Sequence, residues 1–176
     1  MKYTAEMMRD AFSALRYTST TEMWGRIYTE EVAKESSFDF LCRLVDDYGK
    51  GRDLVIRSNM IYIENPSRIL GMALAGAYGV LVGTVVGRGY VRDFDEFVRN
   101  LVVDVYVPKN TDYGDAFELC GVPGVMVRIG DKLQRIKNLR SSPGGPRVNE
   151  SIHDTVIDIA NYAGIGMMLL LADDER

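Results

Sequence analysis

Between Arg68 and Arg88 the chain carries no charged residue. Residues 69 to 87 read Ile-Leu-Gly-Met-Ala-Leu-Ala-Gly-Ala-Tyr-Gly-Val-Leu-Val-Gly-Thr-Val-Val-Gly. A stretch this apolar has to be hidden from water, and that requirement constrains the fold more than any other feature. It is long enough to cross a bilayer. Gly79, Gly83 and Gly87 recur every four residues, the small-residue stripe that lets helices approach closely. Its five glycines, central tyrosine and moderate bulk argue against insertion. The expectation is a glycine-striped central helix, buried in the core or across a homodimer interface. With 176 residues, 47% hydrophobic and 26% charged, the chain can build one core around it without staples.

A net charge of −4 argues against a broad nucleic-acid surface, though not against a local basic pocket. Cys42 and Cys120 fit no metal or redox spacing and read as two buried thiols in a reducing, cytoplasmic setting. The N-terminus has no apolar signal core.

Met7, Met8, Ala11, Phe12 and Leu15 recur at helical spacing and predict a helix over 4 to 16. A second helix is expected from Thr20 or Thr21, and a third after Ser36-Ser37 with Phe38, Leu41, Leu44 and Val45 inward. Glu30, Glu31 and Glu35 read as a solvated face, and Tyr48-Gly-Lys-Gly as a helix stop. Residues 53 to 64 fit either helix or strand. A helix is predicted over 92 to 104, with a short extended segment near 101 to 107, where Leu-Val-Val-Asp-Val-Tyr-Val is β-branched and Pro108 closes the run. The fold class is mainly α: one helical domain, a bundle with a C-terminal helical hairpin.

The hairpin carries the polar chemistry. Arg128, Lys132 and Arg135 share one face of a helix predicted over 124 to 139, opposite Ile129, Leu133 and Ile136. Asp131 lies at the edge of that face, within reach of Arg135. A Pro/Gly loop at 141 to 147 leads to a second helix over 154 to 171, entered near Asn149. On it Glu150, Asp154 and Asp158 spread over roughly 80° of one face. Asp158 sits between Ile157 and Ile159, so its carboxylate is expected to be partly buried and to need a partner. That partner is either magnesium, held by Glu150, Asp154 and Asp158, or the basic face, in a structural ion-pair network. Asp112-Tyr113-Gly114-Asp115 reads as a turn, or as a loop holding a base or phosphate with Tyr113 stacking. His153, the only histidine, has no nucleophile motif and reads as a first-turn surface residue.

Lys109-Asn-x-Asp112-Tyr-Gly-Asp-Ala, Arg128-x-x-Asp131-Lys-x-x-Arg135 and Glu150-x3-Asp154-Thr-x2-Asp158-x3-Tyr162 resemble the nucleotide modification associated domain, type 1, of phage and prophage proteins. The resemblance covers about residues 108 to 171, with 1 to 107 an N-terminal helical part matching no named family. It implies a cytoplasmic nucleotide-metabolism protein, in the host cytoplasm if phage-encoded, whose partner is a nucleotide or a nucleotide-derived small molecule. Lys109, Asn110, Asp112, Tyr113, Arg128, Lys132 and Arg135 would bind it. A more distant likeness to MazG-like all-α pyrophosphohydrolases implies Mg²⁺ and catalytic roles for Asp131 and Asp158, although their Glu-Glu-x-x-Glu helix is missing. The expectation is a homo-oligomer that acts on, or only sequesters, a deoxynucleotide. The alternative is a structural helical protein.

Overall fold

The computed structural model describes residues 2–19, 37–44, 54–57, 60–63, 66–82, 90–142, 144 and 151–174. The protein is mainly α. In chain order the elements are α1 (Ala5–Ser19), α2 (helical residues 37–44), β1 (Leu54–Arg57), β2 (Met60–Ile63), α3 (Pro66–Val82) and α4 (Tyr90–Asn100). A π-helical segment (Leu101–Tyr106) then leads into α5 (Val107–Tyr113), a 3-10 turn (Ala116–Leu119), α6 (Gly121–Ser141) and α7 (Ile152–Asp174). The expected second helix, Val45, the Tyr48 stop and the loop at 145–150 lie outside the described residues.

α1 forms as its periodicity predicts: Met8, Ala11, Phe12 and Leu15 are fully buried. Residues 53 to 64, ambiguous in the sequence, supply an antiparallel strand pair with Leu54 opposite Ile63 and Arg57 opposite Met60. Here β-branching prevails over any helical period.

The uncharged stretch forms α3, which is buried from Ile69 to Val80 except at Met72. It packs against α7 and α1. Of the glycine stripe, Gly79 is in view: a Cβ there would run into the Ser37 side chain, so the absent side chain is what lets α2 close on α3. Gly83 and Gly87 lie outside the described residues. The centre of the bundle, however, is α7 rather than α3 alone, because α7 touches α1, α3 and α6. It is long and apolar enough to cross a membrane by length and composition, but 61% of its most apolar stretch is buried inside this fold.

The segment expected to be extended at 101 to 107 is helical. α4 runs on through a π turn, with the Val107 N–H bonding the Val102 carbonyl, and Leu101, Val102 and Tyr106 point into the core. Pro108 does not close the run; it stands in the first turn of α5. A proline inside a regular α-helix loses a bond and collides with the carbonyl four residues back. The wider π turn just before it gives the proline ring room. Tyr78 of α3 meets Phe94 and Phe97 of α4 edge-on, at 5.5 and 5.2 Å between ring centres, which fixes α4 against the core.

The N-terminus docks far along the chain. The Lys2 backbone N–H donates to Asp115 Oδ2 at 2.6 Å, the Lys2 ammonium pairs with Glu118, and Tyr106 Oη donates to the Tyr3 carbonyl at 3.2 Å. Cys42 is half-buried and Cys120 exposed, so the expectation of two buried thiols fails at Cys120, which ends the 3-10 turn ahead of α6.

Candidate functional site

α6 and α7 form the expected antiparallel hairpin. Lys132 pairs with Asp158 and Arg135 with Thr155, so the partner number falls as the α6 number rises. Val125, Met126, Ile129, Leu133 and Ile136 bury the inner face of α6.

Asp158 is the centre of the polar cluster. Its side chain is only 15% exposed, as its isoleucine neighbours predict. Lys132 Nζ lies 2.7 Å from Oδ2. The Lys109 ammonium, arriving from α5, donates to Oδ1. Burial alone would raise the carboxyl pKa, but the hydrogen bonds from Lys109 and Lys132 outweigh it and hold the group below the usual carboxylate range. Beside it, Arg135 Nη1 donates to Thr155 Oγ1 at 2.7 Å, and that buried hydroxyl also donates to the Ser151 carbonyl at 3.1 Å.

Asp154 has a different task. Its Oδ2 accepts from the Ser151 backbone N–H at 3.0 Å and from Ser151 Oγ at 2.7 Å, while its own N–H donates to Ser151 Oγ at 3.0 Å. This is a reciprocal capping box at the start of α7. Those bonds, first the one from the hydroxyl, pull the Asp154 pKa down. The Ser-x-x-Asp signature stands in the sequence at 151 to 154, and it places the N-cap at Ser151, two residues beyond Asn149.

The remaining sequence-predicted residues separate. Asn110 is buried, and its amide donates to Asp115 Oδ1 at 3.0 Å and to Tyr106 Oη at 3.4 Å, bracing the turn from inside. Asp112 and Tyr113 are exposed, the tyrosine at 76%, and Gly114 closes the turn at φ 61°. Burial would raise the Asp115 pKa, but the Asn110 amide and the backbone N–H groups of Lys2 and Tyr3 lower it. Arg128 and Asp131 are exposed on α6. Glu150 lies outside the described residues.

Magnesium binds carboxylates that still have lone pairs to offer. Both Asp158 oxygens already face ammonium groups, and Asp154 is engaged in its cap. Among the described residues no group of three His, Cys, Asp or Glu side chains is placed to hold a metal ion. As placed, Asp158 and Asp154 Oδ2 are engaged within the protein rather than turned to a metal ion.

Next to the cluster lies a cavity of about 450 Å³. Leu81, Phe97, Leu101, Val105 and Ile157 form its apolar wall, and Glu96, Asn100, Asp104 and His153 its polar rim. Sequence reasoning missed it because the walls come from α3, α4, the π segment and α7 at once. The signal that could have pointed there is the break in regular period at 101 to 107, since π turns often mark functional sites.

The molecule is thus a helical protein whose C-terminal hairpin carries a lysine-clamped carboxylate beside an open cavity. Residues 109–170 match the family described as nucleotide modification associated domain 1. The match begins at Lys109 and runs into α7, so it takes in both lysines, Arg135, Thr155 and Asp158. No curated protein and no solved structure matches the chain.

Proposed function

We propose that the Lys109–Asp158–Lys132 cluster is the phosphate-binding point of a domain that binds a deoxynucleotide or a related nucleotide. The observation that carries this reading is the convergence of two ammonium groups, from α5 and α6, on one largely buried carboxylate inside the matched segment. Two lysines against one aspartate leave a local excess of positive charge on a chain whose net charge is −4. Arg135 stands on the same side of α6, and the exposed Arg128 lies one turn before Lys132. Lys109 and Lys132 remain 49% and 23% exposed, so a phosphate can reach them from solvent. There it accepts charge-assisted hydrogen bonds, while Asp158 keeps both ammonium groups in place.

Binding is the role assigned in this reading, and no hydrolytic step is part of it. Calorimetric titration with deoxynucleotides and their nucleosides, with Mg²⁺ and with EDTA, tests it. Nucleotides are expected to bind in EDTA, nucleosides about tenfold more weakly, and Lys109→Ala to lose about tenfold in nucleotide affinity. Equal affinity for nucleotide and nucleoside, or no binding by a folded protein, overturns the reading and leaves the cluster as a structural ion-pair network. Monophosphate and pyrophosphate appearing only with Mg²⁺ would make the protein an enzyme instead.

A further inference from the structure

We infer that the cavity between α3, α4, the π segment and α7 is the base pocket of this site, and that it prefers bases bearing an exocyclic amine (adenine, cytosine, guanine) to thymine or uracil. The inference rests on the phosphate reading above and adds the part of the ligand that confers selectivity.

A volume of about 450 Å³ suits a small planar ligand, and the wall is apolar with the Phe97 ring in it. Among the described residues lining the cavity none is lysine or arginine, so the phosphate end has no reason to enter. The rim instead carries the carboxylates of Glu96 and Asp104, which only accept hydrogen bonds when ionised. An exocyclic amine donates to such a group, whereas the carbonyl oxygen that thymine carries in its place is repelled by it. Glu96 lies 3.6 Å from Arg99, which leaves Asp104, exposed on the π segment, as the acceptor for the base.

The cavity and the clamp share two elements. Ile157 lines the cavity and the next residue, Asp158, holds the lysines; Val105 lines it and Lys109 follows one turn later. One step along an α-helix turns the side chain by about 100°, so the clamp lies round α7 from the cavity. Asn161 is one turn beyond Ile157. It is 4% exposed, and its Oδ1 has no hydrogen-bond partner among the described residues. Asn161 is not among the residues that line the cavity, so it adds no contact to the base.

The test is a binding panel of dAMP, dCMP, dGMP, dTMP and dUMP against the wild type, Asp104→Ala, Val105→Trp and Lys132→Ala. Amine-bearing nucleotides are expected to bind the wild type about fivefold to tenfold more tightly than dTMP or dUMP, the worth of one hydrogen bond to a charged group. Asp104→Ala should remove that preference and leave dTMP affinity as it was. Val105→Trp, which fills the cavity, should weaken all five, and Lys132→Ala should weaken all five while keeping their order. Equal binding of the five by wild type, with Asp104→Ala and Val105→Trp silent and Lys132→Ala damaging, overturns the base pocket and leaves the phosphate reading standing. Binding of none overturns both.

Discussion

Lys132 of α6 lies 2.7 Å from Asp158 of α7, and Lys109 of α5 holds the other oxygen of the same carboxylate. One anion therefore ties three helices together. Asp158→Asn leaves two ammonium groups without their counter-ion. The expected cost is about 1 to 3 kcal/mol at neutral pH, less than for a fully buried pair because solvent screens the half-exposed Lys109. The wild-type carboxyl is held below its ordinary value because the lysine hydrogen bonds outweigh burial. Its stabilisation is thus present above the unfolded value of about 3.9 and disappears as pH falls through the lower folded value. Urea unfolding of both proteins should show a gap that is constant from neutral pH to about pH 4 and shrinks in stronger acid. A gap unchanged down to strong acid would mean that charge is not its source.

Ser151 and Asp154 close the first turn of α7 on each other. Ser151→Ala is expected to cost about 1 kcal/mol, as loss of an N-cap usually does. Asp154→Asn should also lower the melting temperature, by less, and the double variant should fall short of the sum of the two. The measurement is thermal unfolding in EDTA. An Asp154 whose task is metal binding would leave the EDTA melting temperature where it was.

Much of this was legible from residue spacing, where one helix decides the outcome alone. Phe12 and Leu15 on α1, Ile129 and Leu133 on α6, and the hidden Asp158 between isoleucines all follow from a period near 3.6. The arrangement of faces on α6 and α7 was legible too, because a short loop forces them antiparallel. Contacts between elements distant in sequence were not. Lys109 on α5 meets Asp158 beyond the π turn, where β-branched residues had suggested an extended chain. The docking of Lys2 on Asp115 joins residues 113 apart in the sequence, and no local pattern encodes it. The acidic spacing 154, 158 did not separate two tasks that the fold keeps apart: Asp154 caps α7 and Asp158 pairs with the lysines, though both fall on one helical face.

Gly164 marks where α1 and α7 cross. A Cβ there would come within 2.6 Å of Phe12 Cζ and of Met8 Cε. Gly164→Ala should therefore destabilise by about 1 to 3 kcal/mol through overpacking, although alanine is the better helix former. Phe12→Leu shortens the side chain that the new methyl meets. Denaturant unfolding of both single variants and the double should give a double variant more stable than additivity predicts. Strict additivity would place the strain elsewhere.

Tyr106 links the N-terminus, α5 and α7 through one hydroxyl. It donates to the Tyr3 carbonyl at 3.2 Å, contacts Met168 Sδ at 3.9 Å and accepts from the Asn110 amide at 3.4 Å. Its pKa is pushed up to about 12, first by burial and then by the nearby Asp115 charge and Tyr3. The neutral phenol is what the fold accommodates, so its stabilisation is complete below the ordinary value near 10 and is lost as pH rises towards the folded value. Tyr106→Phe keeps the ring and removes the hydroxyl. At neutral pH it should cost about 1 kcal/mol for the lost hydrogen bonds. Unlike the wild type, it has no phenol at this position to ionise. The two stability curves should therefore approach each other above about pH 10 and cross before pH 12, as urea unfolding at stepped alkaline pH would show. A gap that stays constant over that range would mean that the buried phenol is not what ties stability to alkaline pH.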